Sequence, residues 1–307
     1  MNYRPLGSLD VSVVGVGCNN FGSRLDEAGT RAVVLTALDA GVNFFDTADI
    51  YGDTRSEEFL GRALAGRRGE AVIATKFGVR HDGSGFDSSP DYVRSACEDS
   101  LRRLGTDYID LYQIHFPDPA TALRDTLEVL DELVTAGKVR EVGCSNFNVE
   151  QLREIEESGV VRVVSLQSQY SLLARYPETD GTLKACEDLA MGFLPYYPLA
   201  NGLLTGKIRP GQPIPEGTRL ALMPDDRRAH WLGDQLQSTV GRLLEYVDTL
   251  EDVTLLDCAF SWLLAQPSVT SVIAGASTPE QIRSNARAAR DLPTEVLSRL
   301  DEITRSS

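Results

Sequence analysis

Histidine is scarce in this sequence, no cysteines stand as a close pair, and basic runs and long apolar runs are missing. Each gap closes off a class of function. The three histidines, His81, His115 and His230, lie far apart without ligand spacing, so no metal site is expected. The five cysteines, at positions 18, 97, 144, 186 and 258, include no C-x-x-C pair and are odd in number. Reduced thiols in a cytoplasmic protein are the economical expectation. The net charge is −15 with no cluster of lysine or arginine, which argues against nucleic acid or an anionic membrane as partner. No stretch approaches the roughly 20 apolar residues of a membrane span. The start, MNYRPLGSLDVSVV, has no apolar stretch suited to a signal peptide.

What the sequence does have is a rhythm. Short apolar runs occur at 13–19, 44–48, 71–77, 109–115, 139–146, 163–170, 192–198 and 270–277. Each is followed, directly or after a loop, by a segment with apolar residues three and four apart, as in Leu123, Leu127, Leu130 and Val134. Continuous apolar runs suit strands buried on both faces of a parallel sheet. Eight strand–helix alternations predict a closed (β/α)₈ TIM barrel, with residues 1–307 forming one domain. Residues 2–12 read as a short N-terminal hairpin closing the barrel bottom. Residues 199–232 form a long Gly/Pro-containing loop after strand 7, a length usual for functional loops.

Two glycine motifs fail as nucleotide cradles. GVGCNNFG has Asn20 where the dinucleotide fingerprint needs Gly or Ala, and its helix starts too late. GLLTGKI is one residue short of a P-loop and lacks the final Ser or Thr. There is no Gly-x-Ser-x-Gly elbow for a nucleophilic serine.

Four residues carry chemistry. Asp46, Lys76 and His115 close three of the apolar runs, and Tyr51 lies five residues beyond Asp46. Singly, each has an ordinary structural role open to it: a cap, packing, a snorkelling amine, a satisfied core histidine. Together, at the carboxyl ends of successive barrel strands, they meet where active sites are built. A free phenol titrates near pH 10, and an ammonium beside it lowers that value. The expectation is therefore a Tyr51 acid tuned downward by Lys76. Asp46 keeps Lys76 charged, and His115 donates to the same substrate oxygen. Such a site suits addition to a carbonyl, where negative charge builds on oxygen.

Across nearly its whole length the chain resembles the aldo-keto reductases. The resemblance rests on FFDTADIYGDTRSEEFLGRAL, IATKFG, DLYQIHFPDP, GKVREVGCSNF, LQSQYSLL, PYYPLANGLLTGK and VIAGASTPEQIRSN, in that order. It implies that Tyr51 is the general acid/base, with Asp46, Lys76 and His115 completing a tetrad. It also implies a nicotinamide cofactor bound across the barrel mouth, NADPH with NADH as the alternative. Ser145, Asn146 and Gln167 match contacts to the carboxamide, and Tyr196 matches the ring that stacks on nicotinamide. Gly17 and Cys18 match the first-strand turn. Leu199, Gly202 and Leu203 match the loop over the pyrophosphate. Gly275, Ser277, Thr278, Gln281 and Asn285 match the adenine side. There the family often has Lys or Arg against a 2′-phosphate, and here backbone amides at the helix start after Ser277 are expected to hold it.

The substrate pocket is expected to be lined by Asn19, Asn20, Phe21, Phe77, Phe116 and Trp231. Asn19 and Asn20 have two readings: recognition of a polar, hydroxylated substrate, or shaping of the turn. The expected function is reduction of a small-molecule aldehyde or ketone. The alternatives are an NAD-dependent sugar or alcohol dehydrogenase of the same fold and a non-catalytic nicotinamide-binding regulatory subunit. The sequence does not determine an oligomeric state.

Overall fold

The computed structural model describes residues 1–305. Its strands are β1 (Tyr3–Leu6), β2 (Leu9–Ser12), β3 (Val14–Gly17), β4 (Phe44–Asp46) and β5 (Val72–Phe77), then β6 (Ile109–Ile114), β7 (Val139–Ser145), β8 (Val163–Gln169), β9 (Gly192–Tyr196) and β10 (Val272–Gly275). β3 to β10 form one eight-stranded sheet in the order β10-β3-β4-β5-β6-β7-β8-β9. Every strand pairing within it is parallel, from Val272↔Val14 to Gln169↔Tyr196. β9 meets the approach to β10 through Phe193 N–H donating to Ser268 O (2.7 Å) and Thr270 N–H to Phe193 O (3.0 Å). The result is the expected (β/α)₈ barrel, with each apolar run of the sequence supplying one strand.

The side-chain alternation of a strand decides what the barrel holds. Phe44, Ala74 and Leu111 face the bottom of the interior, where they pack with Leu6, Leu9 and Val11 of the β1–β2 hairpin. The hairpin thus plugs the bottom. Two residues further along the same three strands stand Asp46, Lys76 and Gln113, all buried. The residues that alternate with them, Phe45, Ile73 and Tyr112 among others, face outward into the larger core beneath the helices.

The outer layer includes α1 (Glu27–Asp39), α2 (Arg55–Ala63), α3 (Pro90–Leu104), α4 (Leu123–Thr135), α5 (Val149–Ser158), the short α6 (Tyr176–Thr179) and α7 (Thr182–Asp188). The segment after β9 is less irregular than the sequence implied. It holds a 3₁₀ stretch, Ala200–Thr205, and a helix, α8 (Asp225–Trp231). Then come α9 (Asp234–Val247), α10 (Leu255–Leu264), α11 (Pro279–Ala288) and α12 (Thr294–Arg305). No helix among the described residues is long and apolar enough to cross a membrane.

Candidate active site

Asp46 and Lys76 stand at the carboxyl ends of adjacent strands β4 and β5, His115 directly follows β6, and Lys76 pairs in register with Gln113 of that strand. Tyr51 joins them from the loop after β4. That loop reverses through Gly52, Asp53 and Thr54, with φ of 60°, 56° and 68°. A Cβ at Gly52 would lie 2.4 Å from Phe21 O, so only glycine fits there. Ser56 fixes the far end of the loop: its hydroxyl donates to Cys18 O (2.9 Å) and lies 2.8 Å from Thr47 Oγ1.

Lys76 Nζ donates to Asp46 Oδ2 at 2.7 Å and to Thr47 O at 2.8 Å. It lies 5.1 Å from the centre of the Tyr51 ring, which leaves its remaining N–H on the phenol side. The other carboxylate oxygen, Asp46 Oδ1, accepts from Gln167 Nε2 (2.7 Å) and Gln113 Nε2 (3.2 Å). A buried ion pair is tolerated only when its remaining lone pairs are satisfied, and the two glutamines do this. Gln113 was not singled out from the sequence. Its signal was an amide inside the apolar run IDLYQIH, two residues before His115 and so on the same face. Gly143 makes room for it, since a Cβ there would lie 3.0 Å from Gln113 Cγ and 2.5 Å from Ser165 Oγ.

The electrostatics correct one expectation. The Tyr51 phenol is raised above its ordinary value: burial is the largest cause, and with Asp46 and Tyr197 it outweighs the lowering by Lys76. Lys76 does bias the phenol downward, yet desolvation of the phenolate costs more than one neighbouring ammonium returns. Burial also acts first on Lys76, against its charge, but Asp46 and Tyr51 outweigh it and the ammonium is raised. His115 is pushed down to about 3 by burial and by Lys76. The imidazole is therefore neutral at ordinary pH. Its Nδ1 is buried without a partner, so Nε2 is the better place for the single proton. The His115 ring meets Tyr51 edge-on, centroids 5.9 Å apart.

Beside Tyr51 and His115 opens a cavity of about 980 Å³, large enough for a dinucleotide. Gly17, Cys18, Asn19, Asn20, Phe116, Ser145, Asn146, Gln167 and Tyr196 line it, as do Leu199, Gly202, Gly275, Ser277, Thr278, Gln281 and Asn285. Tyr196 donates to Asn146 Oδ1 (3.0 Å), and Asn146 Nδ2 donates to His115 O (3.1 Å) and Ser145 Oγ (3.0 Å). Asn146 holds this position with φ of 63°.

Four expected residues lie elsewhere. Phe21, Phe77 and Leu203 are fully buried in the outer core. Phe77 is one residue past the inward-facing Lys76, so it points outward, against Tyr112 at 4.6 Å. Trp231 ends α8 and packs partly buried against the same core.

Comparisons with known proteins identify the family. A model of the aldo/keto reductase family matches residues 13–305. An uncharacterized oxidoreductase of Bacillus subtilis, YqkF, is 33% identical over 99% of this chain and 97% of its own length. This chain belongs to the aldo-keto reductase family. A probable voltage-gated potassium channel subunit beta of Arabidopsis thaliana is 31% identical over 100% of this chain and 97% of its own. Among solved structures, the holo form of aldo-keto reductase AKR11C1 from Bacillus halodurans superposes with a TM-score of 0.82 at 33% identity, covering 100% of this chain and 97% of that one.

At the far end of its cavity this aldo-keto reductase departs from the sequence expectation. The first amides of α11 are already used. Ser277 N–H donates to Gln281 Oε1 (2.7 Å), Gln281 N–H to Thr278 Oγ1 (3.3 Å), and the Glu280 carboxylate bonds its own N–H. Side-chain caps occupy these donors here. Positive charge comes from elsewhere: Arg24, Lys207 and Arg219 line the cavity. Arg209 and Arg228, nearby in sequence, pair with Asp248 and Asp225, whereas these three form no ion pair among the described residues. Arg219 packs over Tyr197, 4.9 Å from the ring centre, and donates to its hydroxyl at 3.2 Å. Asn20 is also explained here. Its side-chain amide donates to Ser277 Oγ (3.2 Å) across the cavity wall, and its backbone carbonyl accepts from the N–H groups of Ser23, Arg24 and Leu25, which shapes the turn.

Proposed function

We propose that this chain reduces an aldehyde or ketone to an alcohol using NADPH, with Tyr51 delivering the proton. The observation that carries the reading is the meeting of Asp46, Tyr51, Lys76 and His115 at one wall of a nucleotide-sized cavity. When bound, the nicotinamide supplies the hydride that no side chain can deliver.

The cavity suits such a group. Gln167 is fixed by Asp46 through its NH₂, which turns its carbonyl oxygen to a carboxamide N–H. Ser145 and Asn146 flank it, and Tyr196, tied to Asn146, offers a ring face for the nicotinamide. Gly17 and Cys18 border the same end, and Leu199, Gly202 and Leu203 belong to the loop assigned to the pyrophosphate. Asn201 Oδ1, on the cavity wall, is buried with no partner and would accept from the cofactor. Thr278, Gln281 and Asn285 are assigned to the adenine side. Arg24, Lys207 and Arg219 line the cavity together with Glu216 and Glu280, and the three cations, which form no ion pair among the described residues, are assigned to the phosphates of NADPH.

Tyr51 keeps its proton at neutral pH because its phenol is raised. His115, neutral, donates to the carbonyl oxygen and fixes it beside the phenol. As negative charge builds on that oxygen, Tyr51 gives up its proton, and Lys76 stabilises the phenolate left behind. Asp46, held by two glutamines, keeps Lys76 charged throughout. The likeness to channel β subunits favours the regulatory reading as a second possibility; an intact set of four reacting groups argues against it. The test is fluorescence titration with NADPH and NADH, followed by steady-state rates with aldehydes, ketones and sugars. An absence of turnover with every carbonyl, despite tight cofactor binding, would reject the enzymatic reading.

A further inference from the structure

The mechanism uses the inner face of the loop after β4 and leaves its outer face unassigned. Past Asp46 the chain keeps its pairing with β5: Thr47 N–H donates to Ala74 O (2.8 Å) and Asp49 N–H to Lys76 O (3.1 Å). Side chains therefore go on alternating, and Thr47 and Asp49 face outward where Asp46 faces in. Thr47 meets Ser56 of α2 on that outer side. The chain then turns and delivers Tyr51, whose N–H donates to Ala48 O (3.2 Å). Asp49 thus stands in the chain between Asp46 and Tyr51, with its backbone tied to Lys76.

The Asp49 side chain is buried, and neither carboxylate oxygen has a hydrogen-bond partner among the described residues. The groups facing it are Glu57 from α2, Arg103 and Tyr92 from α3, Lys76 from β5 and Tyr112 from β6. Both cations of this set are committed elsewhere. Arg103 donates to Glu57 Oε2 (2.6 Å), whose other oxygen accepts from Thr75 Oγ1 (2.5 Å). Lys76 donates to Asp46 and to Thr47 O. A buried carboxylate without hydrogen bonds is costly, and Glu57 adds like-charge repulsion, so the carboxyl is raised to about 7. It therefore changes charge inside the ordinary working range of pH, next to the ammonium that serves Tyr51.

Resting on the reductase reading, we infer that Asp49 is a positioning residue that acts on proton transfer through Lys76: as a neutral carboxyl it leaves the ammonium to Tyr51, and as a carboxylate it draws on the same ammonium and slows reduction. The sign follows from the charges. Reduction leaves a phenolate on Tyr51, which Lys76 stabilises. Asp46 already holds one share of that ammonium. An ionised Asp49 is a second anion acting on it, with no hydrogen bond of its own to spread its charge. The phenolate then gains less from Lys76, and the proton leaves Tyr51 less readily.

The test is the pH profile of single-turnover hydride transfer, followed by NADPH absorbance. Enzyme preloaded with NADPH is mixed with whichever of propanal, benzaldehyde and D-glyceraldehyde reacts fastest. We expect the parent rate to fall roughly tenfold as pH rises through about 7, the order expected of one added charge near a reacting group in a protein interior. Asp49→Asn, which cannot ionise, should hold the acid-side rate across that range. Glu57→Gln removes the anion that opposes ionisation and should move the fall to lower pH, by about one unit. A parent rate with no such fall, or a fall that persists unchanged in Asp49→Asn, would overturn the proposal while leaving the reductase reading intact. Where Asp49→Asn does not fold, Glu57→Gln decides: a fall that stays in place or moves upward overturns it. No turnover of any carbonyl by the parent, with NADPH still bound, removes both.

Discussion

The side-chain amide of Gln167 donates to Oδ1 of Asp46 across 2.7 Å, joining residues 121 positions apart in the chain. The bond does two things. It completes the solvation of a carboxylate that sits in the barrel interior only 4% exposed. It also fixes which way the glutamine amide faces, with its oxygen free on the cavity side. The ion pair beside Tyr51 and the cavity wall are thus one hydrogen-bonded unit.

Tyr51→Phe removes the phenolic proton and little else. It should lower kcat by about 10²–10⁴-fold, the range of general acid catalysis. NADPH affinity, read by fluorescence titration, should stay within about twofold, because the phenol is assigned to the reacting oxygen. Activity equal to the parent rejects the acid assignment.

Lys76→Met strands Asp46 as a buried unpaired charge and should cost about 3–5 kcal/mol in urea unfolding. Adding Asp46→Asn to it should recover part of that loss, since the stranded charge is then gone. If the double variant is as unstable as the sum of the singles, the ion pair is not coupled as described.

Asp49 is 1% exposed and neither of its carboxylate oxygens has a hydrogen-bond partner. Burial first, then Glu57, raises it to about 7. A carboxyl raised on folding binds more protons in the folded state, so its contribution to stability is full below about pH 4 and lost as pH rises through about 7. Asp49→Asn should therefore gain stability relative to the parent on going from pH 5 to pH 8, by an amount on the order of a few kcal/mol. Urea midpoints at the two pH values measure it, and a pH-independent difference contradicts the assignment.

His115 moves the other way. Its folded value near 3 lies below the unfolded one, so its contribution is full above about pH 6.5 and lost as pH falls toward 3. The reductase rate should show no limb from imidazole protonation between pH 5 and 8. A histidine resonance titrating near pH 6.5 and assigned to His115 would contradict this.

Arg219→Ala should weaken NADPH about tenfold or more and NADH less, because one of three unpaired cations at the phosphate end is removed. The NADPH affinity of the parent should fall more steeply with salt than that of the variant. Equal weakening of both cofactors would assign Arg219 to the pyrophosphate alone.

Much of this was legible along the chain. Strands buried on both faces leave continuous apolar runs, and a polar residue closing such a run marks the mouth of a barrel. That is why the eight strands and the positions of Asp46, Lys76 and His115 could be read directly, along with Tyr51 beside them. Gln113 carried the same signal more faintly, an amide where an apolar residue was expected. Phe21 and Phe77 misled because an aromatic beside a site residue looks like pocket wall, whereas one step along a strand reverses the face. The start of the last barrel helix was read as free donors, whereas Thr278, Gln281 and Glu280 cap it.

Periodicity and residue type, both local properties, determined the barrel and the candidate groups at its mouth. Tertiary structure alone decided how those groups are tuned and what surrounds them. Whether burial or Lys76 governs the Tyr51 phenol, and whether cations 24, 207 and 219 meet at one cavity, depends on distances between segments remote in sequence. Electrostatic energies depend on those distances and on the solvent excluded around them, and neither is written in the order of residues.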